Sequence, residues 1–309
     1  MPQQTSQPAS PLAGIYAAAL TPLKADGAPD LESFPEFLSF LAKRGCHGAL
    51  ILGTTGEGPS FSCKERKAIY QAAVEVRQAF PKFKLLAGTG TPSLDETIAL
   101  NQIAFELGYD GVVVLPPYYY RKVTDEGLYA WFSQVLQRSV EPGHPLFLYH
   151  IPAITGVSLS IELLCRLKDG FSDRFAGLKD SSGDAEFCRQ LGERFKGELL
   201  AFTGNDRLLS LCRDHHGSGC ITAMANLYSP LLQEVWQTEA QITQQTALQE
   251  RISALRLTLE RYAPFPPILK GLLQARYGFP AWQVRPPLTN TPPELVAEAA
   301  QALAVIDEK

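Results

Sequence analysis

Short apolar or β-branched runs punctuate this chain at regular intervals. They are Ile15–Leu20, Ala49–Leu52, Leu85–Gly88, Gly111–Leu115, Leu146–His150, Phe175–Lys179, Leu200–Thr203 and Gly219–Thr222. Amphipathic stretches lie between them. Leu31–Ala42 spaces Leu31, Phe34, Phe37, Leu38 and Leu41 along one helical face. Ser62 with Glu65 three residues on is a capping-box signature for a second helix. Ser93–Leu107 and Thr124–Leu136 read likewise as helices. Strands that alternate with helices pair in parallel through right-handed crossovers. Eight such strands within about 220 residues predict a (β/α)8 TIM barrel. The rival, a doubly wound sheet, usually carries a Gly-rich phosphate turn after its first strand. Here Thr21-Pro22-Leu23 follows instead.

The strand pattern stops near Pro230. Leu231–Tyr262 predicts a long helical stretch, packed against the barrel. The break Pro264-Phe265-Pro266-Pro267 precedes a helix near Ile268–Tyr277, and Thr291 caps a last one over Pro293–Ile306. The expected organisation is a disordered tail over 1–12, a barrel over 13–230 and a C-terminal helical appendage over 231–309.

Composition narrows the function classes. The 309 residues are 45% hydrophobic and 19% charged, with a net charge of -4. Scattered Lys and Arg leave no basic footprint for nucleic acid or an anionic membrane surface, and no apolar run is long enough to span a bilayer. The polar, Gln-, Ser- and Pro-rich start lacks the pattern of a secretory signal. Six dispersed cysteines contain no Cys-x-x-Cys pair, which fits reduced thiols and a cytoplasmic protein. The five histidines show no zinc spacing, and adjacent His215 and His216 are expected on different sides of a helix. Gly88-Thr89-Gly90-Thr91 lacks the Gly-Lys-Ser/Thr of a nucleotide loop.

The candidate chemistry gathers at strand ends, where barrels keep their active sites. Lys179 ends the sixth apolar run, and alternation puts residues 175, 177 and 179 on one face, with Gly177 beneath the lysine stem. A lysine on a buried face is costly unless its pKa falls, and a neutral amine can attack a carbonyl to form a Schiff base. The plainer reading is a lysine snorkelling from a strand end. Gly53-Thr54-Thr55-Gly56-Glu57-Gly58-Pro59 after the second strand suits either a tight turn or a carboxylate cradle of amides and hydroxyls. Tyr118-Tyr119-Tyr120 after the fourth strand places at least one tyrosine on a cleft or a partner chain. In the fifth strand, Phe147 and Tyr149 face inward and His150 outward, so Tyr149 faces Lys179 and can relay a proton, while His150 packs.

Gly-Thr-Thr-Gly-Glu, Pro-Tyr-Tyr, Tyr-x-x-Pro and Gly-x-Lys-Asp, in this order, resemble the dihydrodipicolinate synthase / N-acetylneuraminate lyase family over about Gly14 to Tyr277. The resemblance implies a pyruvate-handling class I aldolase on a (β/α)8 barrel with C-terminal helices, usually a homotetramer built as a dimer of dimers. It implies that Lys179 is the Schiff-base lysine and Tyr149 the proton shuttle. Thr54 would link Tyr149 to Tyr119 of a neighbouring subunit. Gly53, Thr54 and Thr55 would hold the pyruvate carboxylate, and Ile221 would pack beside it. Ser181, Gly204 and Asp206 would meet a longer substrate. No cofactor and no metal are implied, because the covalent intermediate forms on Lys179.

Two departures bear on the substrate. Ile154 stands where the synthase branch carries a carboxylate-gripping arginine, and Arg207 stands where sialic acid lyases carry a second acid. The motifs are most similar to 2-keto-3-deoxygluconate and 4-hydroxy-2-oxoglutarate aldolases. The expected reaction is reversible cleavage of a 4-hydroxy-2-oxo acid to pyruvate and an aldehyde. The alternatives are condensation of pyruvate with aspartate semialdehyde, a 2-oxo-acid dehydratase, or a non-catalytic barrel that binds a 2-oxo acid.

Overall fold

The computed structural model describes residues 10–237 and 242–307. Eight parallel strands close in chain order: β1 (Gly14–Ala18), β2 (Gly48–Ile51), β3 (Lys84–Gly88), β4 (Gly111–Val114), β5 (Leu146–His150), β6 (Phe175–Asp180), β7 (Leu200–Thr203) and β8 (Gly219–Thr222), with β8 pairing back onto β1. The crossovers are α1 (Ser33–Lys43), α2 (Cys63–Val74), α3 (Leu94–Glu106), α4 (Asp125–Ser139), a short α5 (Pro152–Thr155) with α6 (Ile161–Gly170), α7 (Ala185–Phe195) and α8 (Leu209–Asp214). The expected TIM barrel is therefore present, with strand ends within a residue or two of the apolar runs. Helix starts follow local chemistry. Ser62 and Glu65 form a full capping box on α2, and Ser93, Thr124, Ser160 and Asp184 accept first-turn amides on α3, α4, α6 and α7. The helix before β8 ends at Asp214, so His215 and His216 lie beyond it, with His216 in a left-handed conformation.

Two apolar layers follow from strand alternation. Tyr16, Ala18, Leu50, Val113, Phe147, Tyr149, Phe202 and Ile221 fill the barrel interior. A larger cluster fills the shell between strands and helices. The edge-on contacts of Phe202 with Tyr16 and Phe147, each at 5.7 Å, knit the interior. Leu12 packs against this inner cluster, and its carbonyl accepts from the Tyr16 hydroxyl at 2.8 Å. Of the tail expected over 1–12, residues 1–9 lie outside the described residues.

β6 departs from simple alternation. Leu146 pairs with Phe175 but Phe147 pairs with Gly177, so β6 holds one extra residue there. Such a bulge reverses the side-chain faces across it. Phe175 consequently packs in the outer layer with Leu178, and does not share the face of Lys179 as its spacing predicted. Gly177 is required by its neighbour strand rather than by the lysine stem, because a Cβ there would sit 2.0 Å from the Leu200 carbonyl oxygen.

The C-terminal region comprises α9 (Ala225–Gln237), α10 (Ile242–Glu260), α11 (Phe265–Tyr277) and α12 (Pro293–Asp307). The expected start at 231 falls inside α9, which kinks at Tyr228 ahead of Pro230. Residues 238–241 of the predicted long stretch lie outside the described residues. The α11 helix begins three residues before the expected Ile268, with Pro266 and Pro267 inside its first turn. Proline is tolerated there because first-turn amides have no intrahelical acceptor. Phe279 and Trp282 pack edge-on against Phe37 of α1, with ring centroids 5.6 and 5.3 Å away, joining this region to the barrel.

Candidate active site

Register sets the site. Tyr149 on β5 pairs directly with Lys179 on β6, which pairs in turn with Phe202 on β7. Both Tyr149 and Lys179 point into the mouth of the barrel at its C-terminal end. They are almost fully buried, at 4% and 3% exposure. The Lys179 ammonium nitrogen lies 4.0 Å from the Tyr149 ring centroid. The Tyr149 hydroxyl is 3.3 Å from the Thr54 hydroxyl, so β2, β5 and β6 contribute one polar cluster. Burial acts to raise the Tyr149 pKa, but the charge of Lys179 and hydrogen bonds from Thr54, Lys179 and Ser181 outweigh it and hold the phenol below its ordinary range. A phenol tuned this way can accept and return a proton beside an amine.

Thr54 and Thr55 sit on a compact loop. The amides of Glu57 and Gly58 donate to the Thr54 and Gly53 carbonyls, each at 3.1 Å. Thr55 is buried, and a small cavity lined by Leu50, Gly53, Thr54, Val113 and Tyr149 opens beside the phenol. Gly204 follows β7, and its amide donates to the Asp180 carbonyl at 2.6 Å. The Ser181 hydroxyl oxygen lies so close that a Cβ at position 204 would be 1.9 Å away. Ile221 belongs to the same inner cluster as Tyr149. Lys179, Tyr149, Thr54, Gly53, Ser181, Gly204 and Ile221 therefore converge on one mouth, with buried Thr55 next to Thr54 on the same loop.

Two expected site residues stand apart. Asp206 is fully buried in the turn after β7, where one carboxylate oxygen binds Arg256 of α10 at 2.8 Å and the other has no partner. Tyr119 is 77% exposed on the loop after β4, edge-on to Tyr120 at 5.3 Å and outside the Thr54–Tyr149–Lys179 cluster of its own chain. His150 points outward as alternation predicted. Its Nδ1 lies 3.1 Å from Asp180, and its ring packs on Phe187 at 4.8 Å. Ile154 on α5 and Arg207 after β7 are both exposed. Among the described residues, no three His, Cys, Asp or Glu side chains gather as a metal-ligand set, and no helix is long and apolar enough to cross a membrane.

Sequence reasoning passed over Glu57 and Lys270. They form a buried ion pair at 2.6 Å that joins the Thr54–Thr55 loop to α11. The signal was present: Lys270 is a lone cation within Ile268-Leu269-Lys270-Gly271-Leu272-Leu273, the same anomaly that marks Lys179.

A closed eight-stranded barrel with an amine, a tuned phenol and a threonine loop at one mouth defines an aldolase-like class of site. Residues 11–305 match the Dihydrodipicolinate synthetase family. A DapA-like lyase of Chloroflexus aurantiacus is 37% identical over 285 residues, covering 92% of this chain and 93% of that protein. A 4-hydroxy-tetrahydrodipicolinate synthase of Bartonella bacilliformis is 30% identical, covering 96% of this chain and all of its relative. The solved structure of YagE, a prophage protein of the dihydrodipicolinic acid synthase family from E. coli in complex with pyruvate, superposes with a TM-score of 0.88 at 27% identity, over 96% of this chain and 99% of that one. The chain belongs to the dihydrodipicolinate synthetase family and is a lyase of its class I aldolase-like kind.

Proposed function

We propose that the chain reversibly cleaves a 4-hydroxy-2-oxo acid of the 2-keto-3-deoxygluconate or 4-hydroxy-2-oxoglutarate type into pyruvate and an aldehyde. The observation that carries this reading is the buried Lys179–Tyr149–Thr54 cluster. Lys179 reacts as its free amine, with Tyr149 beside it to carry protons. That amine adds to the substrate ketone, and Tyr149 gives its proton to the carbinolamine hydroxyl, which departs as water to leave an iminium and a phenolate. Tyr149 then takes the 4-hydroxyl proton, the C3–C4 bond breaks into the iminium, and the aldehyde leaves. The remaining enamine gains a proton at C3, and water releases pyruvate and regenerates the amine. Thr54, Thr55 and Gly53 hold the carboxylate and so orient the ketone toward Lys179. Ile221 packs against the small oxo-acid body, while Ser181 and Gly204 line the path of the longer substrate. Asp206, committed to Arg256, acts through the turn it holds. Tyr119 completes the site from a neighbouring copy, which requires a dimer and fits a dimer of dimers in the cytoplasm. The intermediate is covalent on Lys179, so the reaction asks for no cofactor and no metal.

Exposed Ile154 offers no bidentate grip to a second carboxylate, which disfavours aspartate semialdehyde as the aldehyde. The synthase reading is the second candidate, because relatives near 30% identity carry that name. A side-by-side assay separates the two. Pyruvate release from 4-hydroxy-2-oxo acids should exceed condensation of pyruvate with aspartate semialdehyde. Equal or faster condensation would reverse the ranking, and a product that keeps its carbon chain whole would indicate a dehydratase.

A further inference from the structure

The lyase chemistry has no use for Lys270, yet its surroundings are as specific as those of Lys179. The Lys270 and Glu57 side chains are 1% and 0% exposed, and their charged atoms are 2.6 Å apart. The ammonium also donates to the Gln283 carbonyl at 2.6 Å. The second Glu57 oxygen accepts from the Arg285 amide at 2.9 Å. The Arg285 guanidinium then donates to the Ser60 carbonyl at 2.9 Å and pairs with Glu65 at the start of α2. Helix α11 and the segment 283–285 thereby grip the loop that carries Thr54 and Thr55.

Stability alone is a poor reason for this arrangement. Burial holds the Lys270 pKa below its usual range even though the Glu57 charge pulls the other way. Well-packed apolar residues of similar volume often serve as well as a buried ion pair, or better. The loop supplies a better reason. Leu52 and Glu57, at its two ends, both adopt left-handed backbone angles, with φ of 58° and 56°. That region is unfavourable for residues with a side chain, and such strain persists only where the surroundings over-determine it.

We propose that Glu57, Lys270 and the 283–285 segment are positioning residues that hold the Gly53–Gly58 loop in the shape that presents Thr54 and Thr55 to the substrate carboxylate. The C-terminal helical region is then a working part of the active site. The kinetic consequence rests on the lyase reading; the clamp on the loop does not.

The test uses Lys270→Met and the double variant Glu57→Gln/Lys270→Met in the full chain. The single variant strands a carboxylate in the interior and should fold poorly. The double variant removes both charges at nearly constant volume and should fold. In it, the KM for pyruvate should rise about tenfold and kcat should fall as well, because Thr54 both holds the carboxylate and hydrogen-bonds Tyr149. The backbone amides at positions 57 and 58 should exchange with solvent faster than in the parent, while those of β5 and β6 stay protected. A folded double variant with parent KM and parent loop exchange would overturn the proposal. Hydrogen exchange reads the loop whether or not pyruvate reacts. A parent chain that fails to condense with pyruvate would refute the lyase reading, and loop exchange alone would then decide the clamp.

Discussion

Tyr149 is where local physics and the proposed chemistry meet most directly. Burial alone would push a phenol up, as it does at Tyr16, Tyr70 and Tyr109. At Tyr149 the neighbouring ammonium and three hydrogen bonds reverse the sign. A spectrophotometric titration near 295 nm should therefore show one tyrosine ionising below the ordinary value of about 10. That early phase should vanish in Tyr149→Phe, and kcat should fall by about 100- to 10,000-fold with loss of a positioned proton carrier. A full complement of late-ionising tyrosines in the parent, or a Tyr149→Phe rate equal to the parent's, would remove the relay. Alternation was enough to aim Tyr149 inward and His150 outward, because β5 is regular over those residues. Asp206 was legible as a polar residue at a strand end, but its partner Arg256 lies 50 positions along the chain, and no local pattern encodes that pairing.

At the scale of elements, apolar spacing and capping residues placed all eight strands and most helices. Failures occurred where tertiary contacts overrule spacing. The β6 bulge turns Phe175 outward, since one inserted residue inverts every face that follows it. It also restores Lys179 to the interior, so the conclusion survived an incorrect account of the strand. The close approach of β7 makes Gly177 irreplaceable. Gly177→Ala would drive a Cβ into the Leu200 carbonyl and should cost about 1–3 kcal/mol, in the manner of an overpacked core. A thermal or urea melt would read this, and a midpoint equal to the parent's would show that β6 and β7 can part without penalty. The early start of α11 was missed because prolines read as a break, although they suit a first turn.

At the scale of the whole molecule, the loop after β4 carries aromatic surface that its own chain does not cover. Tyr119 and Tyr120 stand out at 77% and 74% exposure beside the mouth, and Val123 on the same loop and Ile154 on α5 are also exposed. Large exposed aromatics of this kind mark contact surfaces. If Tyr119 serves a neighbouring site, two impaired variants should complement each other in a mixed dimer. Tyr119→Phe supplies an intact Lys179, and Lys179→Ala supplies an intact Tyr119, so one of the two sites is whole. Mixing the two should restore activity that neither shows alone. Absence of rescue in preparations shown by sedimentation to contain mixed dimers would place each site within a single chain. The expectation of assembly rests on the family resemblance and the three consecutive tyrosines, since an interface between copies leaves no periodicity in the sequence of one.

Covalent capture of a 2-oxo acid by Lys179 is the central claim, and its most direct test is borohydride reduction in the presence of pyruvate followed by peptide mapping. A single reduced adduct on Lys179, absent in Lys179→Ala, is the predicted result. An unmodified Lys179, or labelling spread over surface lysines and unchanged in Lys179→Ala, would contradict it.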